Sequence, residues 1–153
     1  MAPREQIDSV DRRILALLAQ DARIPNNTLA EAVGLAPSSC LNRVRRLVER
    51  GVLRGFHADV DLEALERGLE AMITVRLRLH QREHVDAFRD HAISLPETVD
   101  VFYVTGSEDF LVHLAVRDQH HLREVIDNQI TTRPEIGRTA TSLVLEHRRK
   151  WTI

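Results

Sequence analysis

Cysteine occurs once, as Cys40, so the chain cannot close an internal disulfide; that fits a reducing compartment. Lysine also occurs once, as Lys150, and every other basic side chain is arginine, a bias given no functional weight. No apolar run approaches the roughly 20 residues needed to cross a bilayer. The opening Met1–Gln6 lacks the apolar stretch of a secretory leader, so a cytoplasmic protein without membrane attachment is expected. There is no glycine-rich phosphate loop and no cysteine cluster. The eight histidines are scattered. His80 and His84 have i,i+4 spacing, but His80 is expected to end a strand and His84 to lie in a helix, so one helical face does not present both. No metal site and no cofactor are therefore expected.

What is present is an apolar fraction of 43%, enough for a sizeable core in 153 residues. The net charge of −2 is unevenly spread. Residues 1–58 carry nine arginines against six carboxylates, for +3, and the remainder carries −5. Such asymmetry suggests a part that faces nucleic acid and a part with another task.

The N-terminal third reads as three helices. Ile14, Leu15, Leu17 and Leu18 recur at near-helical spacing behind Asp8 and Ser9, either of which suits a helix cap. A short second helix is expected from about Asn26–Thr28 through Val33, with Thr28 and Glu31 at capping-box spacing. Gly34 supplies a tight turn. Pro37 suits the first turn of a third helix, and Gly51 suits its end. On a helical wheel of residues 38–50, Cys40, Leu41, Val44, Leu47 and Val48 share an arc of about 120°. Ser38, Ser39, Asn42, Arg43, Arg45, Arg46 and Arg50 fall with Glu49 on the opposite arc. A helix, a short helix, a glycine turn and a longer helix with an arginine-rich face form the helix-turn-helix pattern. Small hydroxyl and amide groups near a helix start approach base edges, and arginines pair with guanine or clamp phosphates. Ser38, Ser39, Asn42 and Arg43 are better placed for bases; Arg45, Arg46 and Arg50 serve phosphates.

Leu53–Val60 is expected to be a strand or extended linker. Ile73, Val75, Leu77 and Leu79 then alternate with polar residues as a strand does. A helix follows through Val85, Phe88 and Ala92, then a strand over Val99–Thr105, a turn at Gly106–Asp109, and a partner strand whose buried face is Phe110, Val112, Leu114 and Val116. Asp118 caps a further helix with Leu122, Val125 and Ile126, and a last strand is expected over about Gly137–His147. The order β-α-β, β-α-β predicts a ferredoxin-like α+β sheet with helices on one face. A second subunit is the simplest cover for the other face. The expected organisation is thus a DNA-binding domain at 1–52, a linker strand and connection at 53–66, and an oligomerisation domain at 67–153.

These residues resemble the leucine-responsive/asparagine-responsive (Lrp/AsnC) family of transcription regulators. The likeness runs through Ile7-Asp8 and Asp11–Leu15, Leu29-Ala30 with Val33–Leu35, Cys40–Leu47 and Gly51–Phe56. It continues in Val104-Thr105-Gly106 with Asp109–Leu111, which is similar to that family's effector loop. The resemblance implies no catalysis. It implies a homodimer that assembles to an octamer, a pseudo-palindromic double-stranded operator, and an amino acid bound near the loop between the two central strands. The positions implied for that effector are Phe102, Thr105, Gly106, Ser107, Asp109, Ser142 and Leu143. Backbone N–H groups around Gly106 and Ser107 suit its carboxylate and Asp109 its ammonium. One departure is Ala36, where the family usually has serine before the proline. A metal- or other-ligand-sensing regulator and a ferredoxin-like enzyme are the alternatives.

Overall fold

Asp8 fixes where the first helix begins. Its carboxylate accepts the Asp11 backbone N–H at 2.7 Å, capping α1, Ser9–Gln20. The computed structural model describes residues 6–148. They divide into two units, one running to Asp59 and the other Val60–His147.

In the first unit, α2 spans Asn26–Val33 and α3 spans Pro37–Glu49. Gly34 follows α2 at φ 71°, where its N–H meets the Glu31 carbonyl and Leu35 N–H meets that of Ala30. Gly51, at φ 66°, ends α3 the same way: its N–H bonds Val48 and Val52 N–H bonds Leu47. Both closures need the left-handed conformation that glycine adopts without steric cost. Ile14, Leu15, Leu18, Leu29, Ala30, Cys40 and Leu47 form the core between the helices.

Two expectations for this unit are corrected. Thr28 and Glu31 make no capping box, because α2 starts two residues earlier, behind Pro25, and Thr28 already lies inside it. The apolar arc of α3 is only partly covered. Cys40 and Leu47 lie on one flank and are buried, Val44 at the midline is half-buried, and Leu41 and Val48 on the other flank stay 39% and 46% exposed. Of the strand or extended linker expected over Leu53–Val60, no strand forms, since no ladder partner meets the segment among the described residues, and the linker alternative stands.

The second unit is a four-stranded antiparallel sheet in the order β2-β3-β1-β4. Its strands are β1, Leu69–Leu77; β2, Thr98–Tyr103; β3, Phe110–Val116; and β4, Ile136–Leu143. Helix α4, Arg82–Ser94, links β1 to β2, and α5, Gln119–Val125, follows β3 behind the capping carboxylate of Asp118. The pleat sends alternate residues to opposite faces. Ala71, Ile73, Val75 and Leu77 therefore join Phe110, Val112, Leu114 and Val116 on one face, under Phe88 and Ala92 of α4 and Leu122 and Val125 of α5. This is the expected ferredoxin-like α+β arrangement. After α5 the chain makes one π-helical turn, Ile126–Ile130, which buries Ile130 and leaves Gln129 outside.

The opposite face carries Glu70, Met72, Thr74 and Arg76 of β1, with Leu111 and His113 of β3, Phe102 of β2 and Ser142 of β4 in register beside them. Two strand ends differ from expectation. β1 stops at Leu77, so Leu79 lies outside it and is 55% exposed. β4 stops at Leu143 rather than His147: Val144 N–H still bonds the Glu70 carbonyl at 2.9 Å, but β1 begins at Leu69 and offers no further partner.

Candidate nucleic-acid interface and sensor loop

Helix α3 begins without a side-chain cap, as Ala36 requires, and presents its first turn to solvent. Ser38, Ser39, Asn42, Arg45, Arg46 and Arg50 are all exposed along it. Together they offer hydroxyls and an amide near the N-terminus and guanidinium groups further along.

Arg43 does not stand with them. Its Nη1 lies 2.6 Å from Asp8 Oδ2 and 2.8 Å from Asp11 Oδ1, tying α3 to the start of α1. The Asp11 and Asp8 contacts hold the guanidinium above its ordinary pKa. Asp8 is held below the usual carboxylate range, first by the Asp11 backbone N–H and then by Arg43. Arg43, expected to read bases, is thus engaged as a clamp that orients the helix from which the other side chains project. Cys40, fully buried opposite them, has its thiol pKa raised by burial, which fits packing rather than nucleophilic chemistry.

In the second unit, the loop from Val104 to Asp109 is stitched to β1. Val104 N–H bonds the Asp109 carbonyl at 2.9 Å, and Asp109 N–H bonds that of Val75 at 2.9 Å. Arg76 donates from Nη1 to the Ser107 carbonyl. Gly106 takes φ 128°, a conformation that disfavours any side chain. Among the described residues no backbone bond engages the Gly106 or Ser107 N–H, and both residues, with Thr105, are exposed.

Asp109 is turned inward. Its Oδ2 accepts Leu77 N–H at 2.8 Å and its Oδ1 lies 2.8 Å from His80 Nε2. It is 9% exposed. The carboxylate substitutes for a strand carbonyl just where β3 has not yet begun, and so fastens the loop. The neighbouring Glu108, which the sequence did not single out, has a buried Oε2 with no hydrogen-bond partner. Phe102 is 47% exposed on the open face and Ser142 lies on that face two strands beyond β3. Leu143, in register with Ala71 at the end of edge strand β4, is 45% exposed.

The histidines pair separately. His84 lies in α4, while His80 meets Asp109, and His121 Nε2 lies 3.1 Å from Glu97. No described helix is long and apolar enough to cross a membrane.

Comparison with known proteins matches the AsnC-type helix-turn-helix domain to residues 7–48 and the Lrp/AsnC ligand binding domain to residues 70–150. The HTH-type transcriptional regulator AldR of Mycolicibacterium smegmatis is 46% identical over 143 residues, covering 94% of this chain and 84% of the relative. The leucine-responsive regulatory protein of Rhizobium meliloti is 32% identical over 145 residues, covering 95% and 93%. Among solved structures, the Neisseria meningitidis transcriptional regulator NMB0573, in complex with L-Met, superposes with a TM-score of 0.88 at 27% identity, covering 96% of this chain and 95% of that one.

Proposed function

The chain belongs to the Lrp/AsnC family of helix-turn-helix transcription regulators, and from that premise we propose that α3 reads an operator while the sheet unit binds an amino acid and assembles the protein. The observation that carries the reading is the exposed row Ser38, Ser39, Asn42, Arg45, Arg46 and Arg50 on one helix, held in place by Arg43. Ser38, Ser39 and Asn42 meet base edges in the major groove, and Arg45, Arg46 and Arg50 meet phosphates. The DNA-binding part is residues 1–52, the connection 53–66 and the effector and assembly part 67–153. The protein works in the cytoplasm without a catalytic step.

The open sheet face, with Phe102 exposed on it, supports a homodimer built sheet against sheet, which assembles further to an octamer. A two-fold dimer reads a pseudo-palindromic site with half-sites a whole number of helical turns apart. The test is selection of random duplexes by the full chain, followed by sequencing and sedimentation. Enrichment of inverted repeats by a dimer or larger assembly is expected. A monomer at micromolar concentration that enriches no sequence would overturn the reading.

The amino acid lies against Thr105, Gly106 and Ser107, bounded by Phe102, Ser142 and Leu143. Its carboxylate takes the Gly106 and Ser107 N–H groups. The unpartnered Oε2 of Glu108 suits its ammonium better than Asp109, whose oxygens are already engaged. That reassignment predicts a split between two variants, read by calorimetry with an amino acid that binds wild type. Glu108→Gln weakens affinity about tenfold or more, the size of a charge-assisted bond, and leaves thermal stability intact. Asp109→Ala lowers stability by leaving the Leu77 N–H without its acceptor. Equal affinity for wild type and Glu108→Gln sinks the Glu108 assignment.

A further inference from the structure

Glu70, His113 and His147 form a second constellation, in the second unit and apart from the sensor loop. Glu70 on β1 and His113 on β3 are diagonal neighbours on the open face, because Met72 is the residue directly opposite His113. His147 comes four residues past the end of β4, and its ring lies edge-on to that of His113 with centroids 5.3 Å apart. One donor atom from each residue falls within 4.8 Å of both others. Glu70 Oε2 stands between the rings, 2.6 Å from His113 Nε2 and 3.2 Å from His147 Nδ1.

His113 is 5% exposed, yet its Nε2 makes no hydrogen bond. The short approach of Glu70 lies off the direction in which that nitrogen donates or accepts. A buried polar atom ordinarily has a partner, and an imidazole nitrogen without one is a candidate metal ligand. The site therefore combines a carboxylate, a buried imidazole whose bonding direction is unused, and a second imidazole that is partly exposed. Nitrogen and carboxylate donors without thiolate select a borderline divalent ion such as Zn²⁺ over Cu⁺ or Mg²⁺. Three protein ligands leave one position for water.

We propose that Glu70, His113 and His147 bind a divalent transition-metal ion, Zn²⁺ by preference, and that the bound ion fastens the segment after β4 onto the open face of the sheet. The ion enters from the His147 side, the exposed side of the three, with modest movement of the segment that carries it. The expectation of no metal site looked for histidines close in sequence, whereas these ligands come from three separate parts of the chain. The proposal stands independently of the DNA and amino-acid readings.

The experiment uses the untagged full chain, stripped with chelator and desalted. Co²⁺ is titrated and followed by its visible absorption, and Zn²⁺ is titrated by calorimetry. Wild type binds one ion per chain at saturation, and the Co²⁺ form shows the intense bands of a four-coordinate site. His147→Ala and Glu70→Gln each weaken Zn²⁺ binding at least about tenfold, since losing even an outer partner of a ligand costs about that much. Circular dichroism confirms that both variants fold. His147 is exposed enough that its removal leaves the core intact. Absence of saturable binding in wild type, or unchanged affinity in either folded variant, overturns the proposal.

Discussion

Replacing Arg45 and Arg46 together by alanine lowers affinity for duplex DNA by about a hundredfold or more at physiological salt. Each guanidinium supplies a hydrogen bond to a charged acceptor worth about 1.5–3 kcal/mol, and 1.4 kcal/mol is a factor of ten. Both side chains are exposed on α3, outside the core that Cys40 and Leu47 make. The loss of binding is read beside the melting temperature of the same variant, which shows that the head remains folded. Fluorescence anisotropy at several salt concentrations makes the check specific. The slope of log affinity against log salt becomes shallower by about one for each phosphate contact removed. An unchanged slope would show that neither arginine meets a phosphate. Arg43→Ala behaves differently: it leaves Asp8 and the mostly buried Asp11 without their cation, so the head melts earlier even in the absence of DNA.

Phe110→Ala is expected to be the most damaging single substitution in the sheet unit. The ring is fully buried and packs edge-on against Phe88 at 4.9 Å and tilted against Tyr103 at 5.0 Å. Truncating such a side chain costs about 3–5 kcal/mol, a large part of the 5–15 kcal/mol that holds an ordinary domain together. For a unit of this size, calorimetry should show the transition falling by roughly 12 °C or more. A shift under about 4 °C would mean that the neighbours collapse into the space or that the packing is looser than the geometry indicates. Because Phe110 opens β3 directly after Asp109, the same variant also loosens the sensor loop, and amino-acid binding weakens with stability.

The parts of this architecture that could be read from the sequence are those governed by local rules. Pro37 and Gly51 bound α3 because a proline in the first turn and a left-handed glycine after the last depend only on nearby backbone. Asp118 capped α5 for the same kind of reason. The buried face of β3 followed from taking every second residue of an apolar run. The Thr28 and Glu31 spacing misled locally; most of what the sequence did not show turns on a partner remote in sequence. Arg43 fell on the polar arc, but its partners lie 35 and 32 residues earlier, in another helix. Asp109 read as a turn residue until the N–H of Leu77 appeared beside it. Leu41 shares an apolar arc with Cys40, yet the core takes Cys40 and leaves Leu41 exposed, a difference no wheel contains. The Glu70, His113 and His147 group was hidden for the same reason: the sheet register, not the spacing, brings it together.

The π-helical turn at Ile126–Ile130 bears on which lengths of chain this fold tolerates. Extended as a regular α-helix, α5 would point Gln129 at the sheet, since Gln129 follows Val125 by four residues and Ile126 by three. The wider turn carries Gln129 outward, where its carbonyl lies 2.7 Å from His91 Nε2, and brings Ile130 inward in its place. The helix is thus one residue longer than its buried stripe requires. A single-residue deletion within Asp127–Gln129 restores ordinary pitch and still delivers an isoleucine to the core, whereas a single insertion rotates that isoleucine away from it. In this segment the reading frame of the fold is asymmetric, open to shortening and closed to lengthening, and natural length variation among similar chains should fall on the permitted side.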